Sequence, residues 1–204
     1  MKLLHLLILF YASPTFALDA IKCSGDEFAT LNLANDTAIS YVIKAHEIME
    51  ANQDPLIATG FKKYFNVDYH SPNDQKYVQN VTGMMARIWS NVSRLKYRCG
   101  QNYRPYCQDG ILALVPPLSR VQICPSYFNR PFEKQVGTLI HEWGHRWGSF
   151  RFGQFRLKYI SEKYCTETAG AGPDVLTVQP DSYMLFTYYL ATNGKGINCF
   201  KIID

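Results

Sequence analysis

The sequence predicts an α+β fold, mostly α-helical, built as one disulfide-stapled domain, and three observations carry that expectation. Segments before residue 98 and after residue 131 set apolar side chains at helical spacing. Between Cys99 and Phe128 the pattern changes to short runs rich in β-formers, broken by Pro116-Pro117 and Ser119. Six cysteines lie in a chain of 204 residues that is 47% hydrophobic, long enough to bury one ordinary core. No internal repeat, low-complexity tract or linker divides it.

The first residues, MKLLHLLILFYASPTFA, place Lys2 before a Leu, Ile and Phe run and end on small residues at Thr15 and Ala17. This reads as a signal peptide over 1–17, cleaved after Ala17. An apolar run of about ten residues is too short for roughly 30 Å of hydrocarbon, so no stable membrane insertion is expected. Residues 18–204 are then a single soluble domain that is secreted or extracellular, with periplasmic transit if the host is bacterial. Cys23, Cys99, Cys107, Cys124, Cys165 and Cys199 all fall in this part, and an even count in an exported chain favours disulfides over thiols. Asn35-Asp-Thr, Asn80-Val-Thr and Asn91-Val-Ser are glycosylation sequons for a eukaryotic host. Net charge is +4, with Lys and Arg scattered along the chain rather than gathered in a run, so nucleic-acid binding gains no support.

From Asp26 to Asn52, the residues Phe28, Leu31, Ala38, Val42, Ala45 and Met49 recur at helical spacing, with Asp26 as N-cap. A second long helix is expected within SPNDQKYVQNVTGMMARIWSNVSRLKY, where Val78, Val81, Met85, Ile88, Trp89, Val92 and Leu95 share a face. Such stripes are core far more often than cofactor contacts. ILALV and VQIC predict a small antiparallel β unit held by disulfides. FEKQVGTLIHEWGHRW returns to helical period through Val136, Leu139, Ile140 and Trp143, and Gly148 and Gly153 close it. After a loop, a last helix is expected near Pro180, including DSYMLFTYYLA.

The helix from Phe132 carries His141, Glu142 and His145 in the spacing H-E-x-x-H. Residues four apart share a helix face, so the two imidazoles can bind one Zn²⁺. Glu142 stands beside them, able to take a proton from a water activated by the metal and pass it to a leaving amine. The competing reading is a surface helix that happens to carry these residues. Against it stand the apolar TLI before the motif and the small Gly144, which would allow the metal close access. A catalytic zinc needs a third protein ligand and an open position. The extended pattern H-E-x-x-H-x-x-G-x-x-H is absent, because Gly148 is followed by Ser149, Phe150 and Arg151.

Several segments in order resemble the aspzincin metallopeptidases, the family of deuterolysins and peptidyl-lysine metallopeptidases. These are CSGDEFATLNLANDTAISYVIKA, YRCGQNYRPYCQDGILALVPPLSRVQICPSYF, TLIHEWGH and QPDSYMLFTYYLA, together most of the mature chain. The resemblance implies a zincin-like domain, a single zinc ion, protein or peptide substrates and a monomer. It also implies disulfides Cys23–Cys99, Cys107–Cys124 and Cys165–Cys199.

For the third ligand the family shows an Asp a few residues after the second histidine, and this chain has no Asp between His145 and Asp174. The nearest counterpart, YISEKYC, offers Glu162, with Glu167 as the next carboxylate and Asp181 as a more distant alternative. Tyr164 would match the family's tyrosine near the zinc, a donor to the developing oxyanion. Asp181 resembles the acid that receives a basic side chain in peptidyl-lysine members, although helix capping beside Pro180 is the plainer role. The family's second acid is Met184 here, which puts strict lysine preference in doubt. The expected function is thus a secreted zinc endopeptidase, with some preference for basic residues. The alternative is a secreted zinc-sequestering protein of the same fold with little proteolysis, kept in view by the irregular third-ligand segment.

Overall fold

The computed structural model describes residues 18–100, 107, 111–116, 120–148 and 172–196. The 1–17 leader, Cys165 with Cys199, and Glu162, Tyr164 and Glu167 lie outside the described residues. The chain begins with strand β1 (Asp19–Ile21), followed by helices α1 (Gly25–Glu50), α2 (Asp54–Phe65) and α3 (Gln75–Asn91). Strands β2 (Lys96–Cys99), β3 (Ala113–Leu114) and β4 (Val121–Ile123) come next, then the short α4 (Pro125–Phe128). Helix α5 (Phe132–Gly148), the short α6 (Pro173–Leu176) and α7 (Pro180–Ala191) complete the fold.

Helix α1 starts two residues earlier than Asp26 suggests. Ser24 is its N-cap, accepting from the Glu27 amide at 3.3 Å while Glu27 Oε2 accepts from the Ser24 amide at 2.8 Å. Two of the helix's orphan N–H groups are satisfied reciprocally by this capping box, which Asp26, inside the first turn, could not do. Leu31, Ala38, Val42 and Ala45 are buried as the periodicity requires, whereas Phe28 is 40% exposed. The helix ends before Asn52, which takes a left-handed φ of 49°.

The separate helix α2 was not anticipated. Pro55 in its first turn, Lys62 and Lys63 in its last and a left-handed Asn66 (φ 53°) at its C-cap are ordinary helix punctuation. Ile57, Phe61, Tyr64 and Phe65 form its buried face. In α3, Val78, Val81, Met85 and Ile88 are buried, but Trp89 stands 42% exposed and stacks on His46 with ring centroids 3.9 Å apart. The stripe was therefore one residue too wide.

The sheet has the order β1-β2-β4-β3. Only β3 and β4 pair antiparallel, as ILALV and VQIC suggest; β1 with β2 and β2 with β4 are parallel. The expected antiparallel unit is thus one edge of a larger mixed sheet. Tyr97 and Val121, in register, are buried towards the helices. The disulfides Cys23–Cys99 and Cys107–Cys124 form as the resemblance implies, the first joining the end of β1 to β2.

Helix α7 is buried from Ser182 through Ala191, apolar nearly all round, and packs along α1, α2 and α5. A buried polar relay ties α5 to the rest: Trp143 Nε1 donates to Tyr97 Oη at 3.0 Å, and that hydroxyl donates to Asn35 Oδ1 at 2.8 Å. Asn35 is 3% exposed, so the folded chain cannot present the first sequon as a glycan acceptor. Asn80 is exposed and Asn91 half-buried.

Two expectations follow. A Cβ at Gly60 would sit 2.6 Å from Phe186 Cε2, among the packed rings of Phe61, Phe65 and Phe186. Gly60→Ala should therefore destabilise by about 1–2 kcal/mol despite its better helix propensity, read as a lower urea midpoint at unchanged slope. Trp143→Phe deletes the donor to Tyr97 and leaves a void, and should cost about 2 kcal/mol in the same measurement. A loss below the resolution of that titration would mean that the relay contributes nothing.

Candidate metal centre and active site

Helix α5 offers its apolar residues to the core and its chemistry to the edge of that core. Val136, Leu139, Ile140 and Trp143 are fully or almost fully buried, which fixes the rotation of the helix. His141, Glu142 and His145 then fall where α5 meets the start of α7. Helix α7 supplies Asp181, whose Oδ1 lies 2.5 Å from His141 Nδ1. The carboxylate accepts this hydrogen bond, so Nδ1 carries the proton and Nε2 is left with its lone pair. That Nε2 stands 3.1 Å from His145 Nε2.

Two nitrogens sharing one tetrahedral zinc at roughly 2.0–2.1 Å are roughly 3.3 Å apart. The observed pair needs little movement to meet that requirement. A carboxylate on the second nitrogen of a ligating imidazole is also the usual outer partner, holding ring orientation and raising basicity. The donor set thus fits zinc as far as two ligands. Among the described residues no cluster of three or more His, Cys, Asp or Glu side chains is assembled to hold a metal. Asp181, one of the sequence alternatives for the third ligand, contacts the opposite nitrogen of the His141 ring from the one that faces His145.

Glu142 is 5% exposed, and its Oε2 is a buried oxygen without a hydrogen-bond partner among the described residues. Burial above all pushes its carboxyl up to about 7; Asp181 adds to the rise and His141 opposes it. His141 feels burial in the opposite sense, yet the Asp181 charge and hydrogen bond, with Glu142 nearby, lift it above the ordinary imidazole value. His145 is driven down to about 4, by burial first and then by His141, against the pull of Asp181. The arrangement therefore contains a neutral imidazole, a base poised near neutrality and a fixed carboxylate behind the second imidazole.

Gly144 lies at the contact between α5 and the start of α7. A Cβ there would lie 3.1 Å from Pro180 Cβ and 3.2 Å from Pro180 Cα. The glycine lets α5 and the first turn of α7 approach closely enough for Asp181 to reach His141. Asp181 is not the cap of α7; that position belongs to Gln179. Met184, at the position of the family's second acid, is buried, and its Sδ lies 3.5 Å from where a Cβ of Gly137 would be. It packs α7 against α5. The Asp181–His141 contact was missed as such by the sequence reading; an acid in the first turn of an otherwise apolar, buried helix was its one available signal.

A scan against protein-family models finds none that matches, and a search of curated proteins finds no match either. Among solved structures, the chain is similar to a zinc peptidase from Grifola frondosa at a TM-score of 0.60 and 21% identity. The similarity covers 86% of this chain and 100% of that one. The two proteins share a fold, which in this chain is mostly helical with a small sheet.

Proposed function

We propose that the chain is a secreted zinc-dependent endopeptidase of the aspzincin kind, hydrolysing peptide bonds in proteins. The observation that carries this reading is the approach of His141 Nε2 and His145 Nε2 to 3.1 Å beside the buried carboxylate of Glu142, whose Oε2 has no partner among the described residues. The likeness in fold to a zinc peptidase from Grifola frondosa supports it. Secretion is supported by the leader-like start and by two disulfides, which persist in oxidising compartments.

In this reading His141 and His145 hold zinc through Nε2, and Glu162 is the proposed third ligand. Bound zinc would supply a Lewis acid for the scissile carbonyl and lower the pKa of water. Glu142 takes the proton of the attacking water as the C–O bond forms and returns it to the amine nitrogen as the C–N bond breaks. A carboxyl near 7 suits both halves of that task. Asp181 keeps the His141 ring turned with Nε2 outward. Tyr164 is the proposed donor to the oxyanion, and a residual preference for basic side chains would also rest on Asp181.

Glu142→Gln should bind zinc at the wild-type ratio while casein hydrolysis falls by about 10²-fold or more. Tight zinc binding by a wild-type protein that hydrolyses nothing would instead establish the sequestering protein. Asp181→Asn separates two roles for that residue. If it orients His141, zinc affinity measured by competition with a chromophoric chelator should fall about 10–100-fold. Unchanged zinc affinity with a raised KM confined to substrates bearing lysine would place Asp181 in substrate recognition.

A further inference from the structure

We propose that Asn80 is a modification site, the sequon at which the folded domain carries an N-linked oligosaccharide; the proposal rests on the secretion reading, since the sugar donor is held in the secretory compartment of a eukaryotic cell. Three triplets, starting at Asn35, Asn80 and Asn91, have the Asn-x-Ser/Thr pattern that such a compartment modifies. As sequence they are equivalent. In the fold they are not, because a glycan is bulky and polar and has to stay at the surface.

Asn35 is 3% exposed, and its Oδ1 accepts from the Tyr97 hydroxyl inside the relay that ties α1 to β2 and α5. A sugar on that side chain would have to enter the core between α1 and β2, so a chain modified there could not close the relay. Asn91 is half-buried at the end of α3, and its Nδ2 donates twice, to the Arg87 carbonyl at 2.8 Å and to Ser90 Oγ at 3.1 Å. A glycosylated amide keeps a single N–H, so one of those two bonds would be lost.

Asn80 carries neither penalty. Val78 and Val81 are buried, which turns Asn80 to the outer face of α3, where Gln79, Asn80 and Gly83 are all exposed. Gly83 is its neighbour one turn on, and a Cβ there would meet no atom within 4 Å. Helical side chains lean over the turn that precedes them, so a larger residue at 83 would cover Asn80. The glycine keeps that space open for the first sugar.

The reaction needs one co-reactant, an oligosaccharide carried on a lipid diphosphate. Asn80 Nδ2 bonds to the anomeric carbon, the bond from that carbon to the diphosphate oxygen breaks, and the amide gives one proton to a base of the transferase. Transfer can precede folding, so the fold acts as a filter on its products. Chains modified at Asn80 fold with the glycan outside, whereas chains modified at Asn35 do not fold.

The test is secretion of the chain from a eukaryotic host, once with its own leader and once with the host's leader in place of residues 1–17. Protein collected from the medium is deglycosylated by an amidase in heavy-oxygen water, which leaves labelled aspartate at each occupied site, and mapped by mass spectrometry. Asn80 should be labelled in most molecules, and Asn35 and Asn91 should remain asparagine. Thr82→Ala keeps Asn80 but destroys the triplet, and should run on a gel as the deglycosylated chain does; Thr82→Ser should retain the glycan. Should Thr82→Ala fail to leave the cell, Asn80→Gln must show the same loss. An unmodified Asn80 in secreted protein overturns the proposal, as does a Thr82→Ala chain that keeps its glycan, or occupancy at Asn35 or Asn91 equal to that at Asn80. Export with the host's leader but not with the chain's own defeats the secretion reading, and the labelling of Asn80 in that exported protein still decides this proposal.

Discussion

The site depends on burying a helix that carries ionisable groups, and the close approach of α5 to α7 is what makes this possible. Gly144 against Pro180 sets the separation of the two helices, and Asp181 can reach His141 only at that separation. The relay from Trp143 through Tyr97 to Asn35 fixes α5 from its other side, linking it to β2 and α1. Tyr188 adds a further tie, donating from α7 to the Glu133 carbonyl in the first turn of α5 at 2.8 Å. A rotation of α5 by one residue would turn Trp143 out of the core and the histidines into it. Apolar burial thus orients the imidazoles, and the polar contacts fix how closely the helices approach.

Burying Glu142, two imidazoles and Asp181 together opposes folding, because charge is poorly solvated in a core. The structure relieves this unevenly. Asp181 and His141 compensate one another directly, and His145 is neutral at ordinary pH with a value of about 4. Among the described residues Glu142 has no such partner, and its carboxyl is left strongly perturbed. Strongly shifted groups gather where a protein does chemistry more often than where it merely packs. Nothing in the apolar core of α1, α2 and α3 requires this arrangement, and removing it would favour folding.

Helices with clear periodicity were legible in the sequence, as was H-E-x-x-H, because spacing along one helix is local information. The capping box at Ser24 and Glu27 was equally local, but Asp26 offered a competing N-cap and only the backbone shows which one the chain uses. Helix α2 was obscured by Asn52 to Pro55, whose turn chemistry reads as a boundary without announcing that a new helix starts there. Strands β1 and β2 are three and four residues long and pair in parallel across the three helices between them, so no local alternation reveals them. The Asp181–His141 contact shares that character.

The disulfide from Cys23 to Cys99 spans 76 residues and closes a covalent loop around α1, α2 and α3. In the chain-entropy picture a loop of that size stabilises the fold by about 4.5 kcal/mol, against a total of about 5–15 kcal/mol for an ordinary domain. The platform on which α5 docks is therefore redox-dependent, while the histidines and glutamate of the site are not themselves redox-active. Reduction of that one bond would take away much of the margin of stability, and with it the geometry that brings His141, Glu142 and His145 together.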